Sequence, residues 1–138
     1  MRPPETIEET SVTVECDRDI VVARTQGRAM ATQVGFDATT ATLIATAISE
    51  LARNILLYAR RGSIRVSPLD QDGCRGLLIV ADDQGPGIPD VSQAMRDGYS
   101  TSGRLGLGLP GVRRLMDGFE IRSTIGEGTT VKVKKWNK

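Results

Sequence analysis

Seven glycines and two neighbouring acids fall in or beside one polar stretch, from Asp83 to Gly111. An apolar run, Leu77 to Ala81, leads into it, and Asp82 and Asp83 follow that run directly. Glycine permits positive φ and lets the backbone approach a ligand closely, at an entropic cost. Successive backbone N–H groups in a glycine-rich turn, followed by a helix N-terminus, form an anion site. The stretch therefore predicts a cradle for a phosphate-bearing ligand such as a nucleotide.

The familiar phosphate loops do not describe this stretch. Gly106-x-Gly108-x-x-Gly111 matches the dinucleotide fingerprint, but that pattern needs a hydrophobic strand directly before it, and residues 99–104 are polar. Arg113 stands where the protein-kinase glycine loop has valine. A Walker A loop needs a Gly-Lys pair, and the sequence contains none. The predicted cradle is therefore of another type.

A second set of polar groups lies on a predicted helix that begins at Asp37 or Thr39 and ends at Ala59. Glu50 and Asn54 are four residues apart, so they project from nearly the same face, roughly 40° apart. Asn54 offers a neutral oxygen of the kind that Mg²⁺ accepts, and Glu50 can orient or deprotonate an attacking hydroxyl. Both lie beside an apolar stripe at helical spacing that predicts core: Ile44, Ile48, Leu51 and Ile55.

Each of these residues also has an ordinary structural explanation. Asp83 could cap a turn, and Asn54 could lie on a solvated helix face. Glu50 could pair with Arg53 or Arg61 on the surface. The glycines by themselves could mark a loop without a ligand. The residue pattern alone leaves these alternatives open.

The predicted elements give an α/β fold, with hairpins of strands and with helices that are separate from them. We expect a two-layer α/β sandwich with one mixed, mostly antiparallel sheet and helices on one face. Asp17 is expected to cap the first helix, Gly35 to end it, and Gly62 to stop the second. The predicted strands are 11–16, 63–69, 77–81, 119–124 and 130–135; the predicted helices are 18–34, 37–59, 91–95 and 110–116.

Composition narrows the class of protein. A chain of 138 residues predicts one domain, residues 1–138, and its net charge of +1 gives no reason to expect a nucleic-acid partner. There is no histidine, which excludes a histidine base, ligand or phosphohistidine in this chain. Cys16 and Cys74 match no metal or redox spacing and are expected to be reduced thiols. Without a long apolar run or a signal peptide, we expect a cytoplasmic protein with no membrane partner.

Four motifs in order make the sequence similar to the GHKL, or Bergerat-fold, ATP-binding domains. Residues 50–54, ELARN, resemble the N box, and residues 83–87, DQGPG, resemble the D-x-G-x-G box. Residues 103–111 resemble the glycine-rich lid, and residues 126–129, GEGT, resemble the last box of the family. The resemblance implies the Bergerat fold, with ATP and Mg²⁺ as cofactors.

Longer segments resemble the RsbT-type serine/threonine kinases of the stressosome. They include AISELARNILLYA, DQGPGIPD and MRDGYSTSGRLGLGLPGVRRLMD, and Asp82, where relatives would have Glu, is a small departure. The resemblance implies phosphorylation of STAS-domain scaffold proteins of the RsbS and RsbR types. It also implies a partner switch, in which the kinase then activates a PP2C-type phosphatase like RsbU.

The resemblance also assigns roles to single residues. Asp83 would accept the adenine amino group, Glu50 would be the catalytic base, and Asn54 would be the metal ligand. Thr129 would lie behind the adenine. The implied nucleotide contacts are Asn54, Asp83, Gly85, Gly87, Ile88, Ser102, Gly103, Arg104, Leu105, Gly106, Gly108 and Thr129.

Three other functions compete with this one. An anti-sigma factor kinase of the RsbW and SpoIIAB type has the same fold and also phosphorylates a STAS protein, but it sequesters a sigma factor. A binding module would hold ATP without transferring phosphate. A histidine-kinase fragment is disfavoured, because the chain has no histidine and no predicted dimerisation helices.

Overall fold

The computed structural model describes residues 7–88, 95 and 108–138. The elements in chain order are β1 Thr10–Val14, α1 Asp17–Val34, α2 Ala38–Tyr58, β2 Gly62–Gln71, β3 Cys74–Asp83, α3 Gly108–Leu115, β4 Gly118–Thr124 and β5 Gly128–Asn137. The predicted strands and long helices are all present. The predicted short helix 91–95 lies outside the described residues, apart from Met95.

The five strands form one sheet in the order β1-β2-β3-β5-β4. All four described pairings are antiparallel, so the expectation of a mixed sheet was wrong for this part of the chain. For two of the four pairings the reason lies in the connections. Tight hairpins join β2 to β3 and β4 to β5, and a hairpin can only join antiparallel neighbours. The β2–β3 turn places Asp72 at φ 54° and Gly73 at φ 79°, the left-handed pair that a two-residue hairpin favours.

Helices α1 and α2 pack on each other and on one face of the sheet, as predicted. The strands alternate, so every second side chain points to the helices. On β3, for example, Leu77, Ile79 and Ala81 are buried among the helices. The apolar stripe predicted on α2 is fully buried: Ile44, Ile48, Leu51 and Ile55.

The start of α1 differs from the sequence-based expectation. Cys16, not Asp17, caps α1, and Asp19 Oδ2 accepts the backbone N–H groups of Glu15 and Cys16 at 2.9 and 3.3 Å. Gly35, at φ 116°, ends this helix as predicted. At the start of α2, Asp37 Oδ1 accepts the N–H of Thr40 at 2.8 Å.

Gly62 does not stop α2, contrary to expectation. The helix ends at Tyr58, Arg60 takes the left-handed conformation at φ 68°, and Gly62 is the first residue of β2. It must be glycine for a packing reason. A Cβ at this position would lie 2.5 Å from the Asp82 carbonyl oxygen and 2.8 Å from the Ile55 side chain. Gly62 therefore lets the end of α2 approach the end of β3, where the polar stretch begins.

Candidate nucleotide site

A cavity that is partly open to solvent lies between α2 and the sheet. The predicted polar residues Asn54, Asp83 and Thr129 all line it. They come from α2, the end of β3 and the start of β5, and antiparallel pairing places Asp83 directly opposite Thr129. The remaining lining residues are mostly apolar: Leu51, Ile55, Tyr58, Ala81, Ile88, Leu109 and Val131.

Asp83 ends β3 with its carboxylate half-buried in this cavity. Asp83 Oδ1 accepts the backbone N–H of Gly85 at 2.9 Å and that of Thr129 at 3.3 Å. Burial raises the pKa of the Asp83 carboxyl, and the two N–H groups oppose that rise without cancelling it. Since both bonds go to Oδ1, Oδ2 is left, within the described residues, for a hydrogen-bond donor on a ligand. A carboxylate oxygen placed in this way can accept a hydrogen bond from an N–H or O–H group of a ligand.

Asn54 lies one helical turn after Glu50 on α2 and lines the same cavity. Its Nδ2 is buried and has no hydrogen-bond partner within the part of the chain described. A buried polar group without a partner costs about 1–3 kcal/mol, so such a group in a cavity wall points to a ligand. A half-turn about the last side-chain torsion exchanges Nδ2 with Oδ1 and presents an oxygen to that ligand. In that orientation Asn54 would supply one oxygen ligand to a Mg²⁺ ion.

Glu50 is mostly buried, but it does not line the cavity among the described residues. Its Oε2 lies 3.1 Å from the Arg53 guanidinium, and the two side chains are 13% and 35% exposed. One of the structural explanations for Glu50, pairing with Arg53, is therefore present. The assignment of Glu50 as the catalytic base stays a prediction.

Three glycines of the quoted motifs have close protein neighbours. A Cβ on Gly85 would lie 2.5 Å from the Ala59 Cβ, and one on Gly87, at φ 83°, would lie 2.6 Å from the Thr124 carbonyl oxygen. Gly128, at φ 128°, packs directly on the Asp83 carbonyl. These positions need glycine for chain packing, whatever ligand binds. The assignment of Gly85 and Gly87 as nucleotide contacts stays a prediction.

The β4–β5 hairpin holds the loop that follows Asp83. Gly126 donates its N–H to the Pro86 carbonyl at 2.9 Å, and Ser123 Oγ accepts the Ile88 N–H at 2.7 Å. Ser123 Oγ also lies 2.8 Å from Thr129 Oγ1. The sequence-based prediction of site residues missed Ser123. A signal existed, because Phe119, Ile121 and Ser123 alternate on β4 and the third breaks an apolar series.

Other predicted contacts fall at or beyond the edge of the described chain. Gly108, at φ 61°, begins α3, and the next residue, Leu109, lines the cavity although it was not predicted to. Five predicted contacts lie outside the described residues: Ser102, Gly103, Arg104, Leu105 and Gly106. In the described part of the chain, no group of three or more acidic, cysteine or histidine side chains could hold a metal. None of the described helices is long and apolar enough to cross a membrane.

Comparison with known proteins agrees with this geometry. Residues 13–135 match the family model of the histidine kinase-like ATPase domain. The serine/threonine-protein kinase RsbT of Bacillus subtilis is 51% identical over 129 residues, which cover 94% of this chain and 97% of the relative. An anti-sigma F factor of Caldanaerobacter subterraneus is 34% identical over 101 residues, covering 67% of this chain and 68% of the relative.

A solved structure has the same fold. A crystal structure of the RsbU and RsbW domains of a Mycobacterium tuberculosis protein superposes with a TM-score of 0.62 at 19% identity. The match covers 96% of this chain but only 34% of that one. The predicted Bergerat fold and the predicted resemblance to RsbT are thereby confirmed. The chain belongs to the histidine kinase-like ATPase family and, within it, to the RsbT-type serine/threonine-protein kinases.

Proposed function

We propose that residues 1–138 act as one ATP- and Mg²⁺-dependent kinase domain that phosphorylates serine or threonine on STAS-domain proteins of the RsbS and RsbR types. The observation that carries the proposal is the half-buried Asp83 carboxylate. Two backbone N–H groups hold its Oδ1 in a cavity that Asn54 and Thr129 also line. This arrangement supports recognition of the adenine amino group by Asp83 Oδ2. The family's ATPase domain and the similarity to an RsbT kinase agree with ATP as the phosphate donor.

The apolar lining is suited to a flat base. Leu51 and Ile55 from α2 and Val131 from β5 all line the cavity, so apolar side chains can cover the faces of a purine ring. Asp83 then adds selectivity, because adenine presents an amino donor where guanine presents a carbonyl oxygen. Thr129, which is 9% exposed, supplies a hydroxyl beside the same carboxylate. We therefore expect apolar contacts to supply most of the binding free energy and the Asp83 carboxylate to select the base.

Asn54 is the residue that we expect to hold Mg²⁺, through its side-chain oxygen. A Mg²⁺ ion held there would neutralise phosphate charge. One protein ligand would be enough, because Mg²⁺ usually keeps several waters. Gly108, at the start of α3, is expected to lie near the phosphates.

Glu50 is the proposed general base. It takes the proton of the acceptor hydroxyl, whose oxygen forms the new bond to phosphorus while the bond to ADP breaks. Its ion pair with Arg53 keeps the carboxylate oriented on α2, one turn from Asn54. We expect Arg53 to release or share Glu50 when the acceptor protein binds. Phosphoryl transfer needs little more than positioning and charge neutralisation.

The same chain is proposed to switch partners in the cytoplasm. After phosphorylation of the STAS scaffold it would bind and activate a PP2C-type phosphatase like RsbU. The similarity to anti-sigma F factors favours one alternative, a kinase that sequesters a sigma factor, but it is lower in identity and covers less of the chain.

Labelled ATP and candidate partners test both functions. The purified chain is incubated with Mg²⁺, labelled ATP and a STAS-domain protein, and phosphoserine or phosphothreonine is identified by mass spectrometry. Transfer supports the kinase, whereas ATP binding without transfer supports a pure binding module. Parallel co-purification with a PP2C phosphatase and with sigma factors separates the switch kinase from the anti-sigma factor. Retention of a sigma factor would reverse the ranking.

A further inference from the structure

One serine outside the cavity connects three parts of its wall. Ser123 Oγ accepts the backbone N–H of Ile88 at 2.7 Å, lies 2.8 Å from Thr129 Oγ1, and lies 3.3 Å from the Gly128 carbonyl oxygen. Ile88 and Thr129 both line the cavity, whereas Ser123 does not. The two partners at the cavity wall are 35 and 6 residues away from Ser123 in sequence. A single hydroxyl thus ties the loop after Asp83 to the start of β5.

The hydrogen-bond capacity of serine makes these contacts interdependent. A hydroxyl has one hydrogen to donate and two lone pairs to accept with. The Ile88 N–H occupies one lone pair. If Ser123 donates to the Gly128 carbonyl, its second lone pair accepts the Thr129 O–H, and Thr129 presents lone pairs to the cavity. If Ser123 donates to Thr129, the Thr129 hydrogen is free to face the cavity instead. Ser123 therefore controls whether Thr129 offers a donor or an acceptor.

The same network reaches Asp83. The Thr129 backbone N–H donates to Asp83 Oδ1, so the carboxylate, Thr129 and Ser123 form one chain of hydrogen bonds. Ile88, which also lines the cavity, joins this series through its bond to Ser123. We propose that Ser123 is a positioning residue for nucleotide binding: it orients the Thr129 hydroxyl and holds the Ile88 wall in place before the nucleotide enters. This inference rests on the proposed function.

The test compares Ser123→Ala with a matched control, Thr130→Ala. Thr130 lies on the neighbouring strand β5, and its hydroxyl donates to Asp82 Oδ1 at 2.8 Å, outside the cavity lining. Each variant loses one strand hydroxyl and its hydrogen bonding, so a merely structural effect should appear in both. Ser123→Thr restores a hydroxyl on a residue that strands favour and serves as the rescue.

Two readouts follow. In nucleotide-free protein, Ser123→Ala should speed amide hydrogen exchange at Ile88, and Thr130→Ala should not. In calorimetry, Ser123→Ala should weaken ATP binding about tenfold, the effect of losing roughly one buried hydrogen bond. Ser123→Thr should restore most of the slow exchange at Ile88 and most of the ATP affinity. If Ser123→Ala does not fold, Ser123→Cys, with its weaker acceptor, replaces it and should give the same directions.

The outcomes separate the two proposals. Ile88 exchange and ATP affinity that match the Thr130→Ala control would overturn the role of Ser123. If the unsubstituted chain binds no ATP, the proposed function fails. The exchange rate at Ile88 then still decides whether Ser123 positions the cavity wall.

Discussion

Replacing Asp83 with asparagine tests the nucleotide site most directly. Asparagine keeps a carbonyl oxygen for the N–H groups of Gly85 and Thr129, which now bond Asp83 Oδ1 at 2.9 and 3.3 Å. It puts an NH₂ group in place of Oδ2, so a donor would meet the adenine amino donor. A hydrogen bond to a charged group contributes about 1.5–3 kcal/mol. Asp83→Asn should therefore weaken ATP binding about 10- to 150-fold, at 1.4 kcal/mol per factor of ten.

Calorimetry with two nucleotides measures this effect. Inosine triphosphate has a carbonyl oxygen where ATP has its amino group, so the unsubstituted chain should bind it far more weakly than ATP. Asp83→Asn should lose most of that discrimination. Asp82→Asn is the control, because Asp82 is exposed and bonds Thr130 outside the cavity. Equal ATP affinity in Asp83→Asn and in the unsubstituted chain would refute the recognition of adenine by Asp83. An equal loss of ATP affinity in Asp82→Asn would show that the effect is not specific to Asp83.

The same substitution should also change how stability depends on pH. Burial raises the pKa of the Asp83 carboxyl above its ordinary value of 3.8, so the folded state binds its proton more tightly than the unfolded state. The folded protein therefore loses stability as pH rises from that ordinary value through the raised one. Asp83→Asn lacks this loss. Its free energy of unfolding in urea, relative to the unsubstituted chain, should rise across that window and then level off. A flat difference would show that burial does not destabilise the carboxylate.

Three further substitutions address the rest of the site. Asn54→Ala should remove the Mg²⁺ dependence of ATP affinity in calorimetry without lowering the free energy of unfolding, because its Nδ2 has no partner among the described residues; a persisting Mg²⁺ effect would contradict the role. Glu50→Gln should leave ATP affinity near normal but slow phosphoryl transfer about 10²–10⁴-fold, and a near-normal rate would contradict its role as the general base. Gly85→Ala should lower the unfolding midpoint even without ATP, because the new Cβ would lie 2.5 Å from the Ala59 Cβ; an unchanged midpoint would mean that the loop shifts freely.

Local patterns were enough to predict the elements and to name three polar residues that line one cavity. The apolar stripe of α2 and the alternation along the strands depend on the geometry of single elements, which the sequence carries within a few residues. The acid that ends β3 and the amide on α2 could be recognised in the same way, since residue type and motif spacing are local. Asp83, Asn54 and Thr129 were predicted on this basis, and the structure places all three on one cavity.

Glycines were harder to interpret from the sequence. A glycine-rich stretch shows that the backbone needs freedom, but it does not show which neighbour requires it. Gly85 and Gly87 contact Ala59 and the Thr124 carbonyl, and these partners come from distant parts of the chain. Gly62 gave a misleading helix-stop signal for the same reason. A Cβ at this position would clash with Asp82 on β3 and with Ile55 on α2, and this packing is what requires glycine.

The sequence by itself determined the family, the order of the elements and the residue types that can recognise a nucleotide, because these depend on composition and on short-range spacing. Only the tertiary structure decided which polar atoms meet. Asp83 and Thr129 are 46 residues apart, and Ser123 and Ile88 are 35 apart. Their contacts depend on strand register and on the docking of the β4–β5 hairpin against the loop after β3. Register is set by the packing of the whole core, so no local pattern could specify these hydrogen bonds.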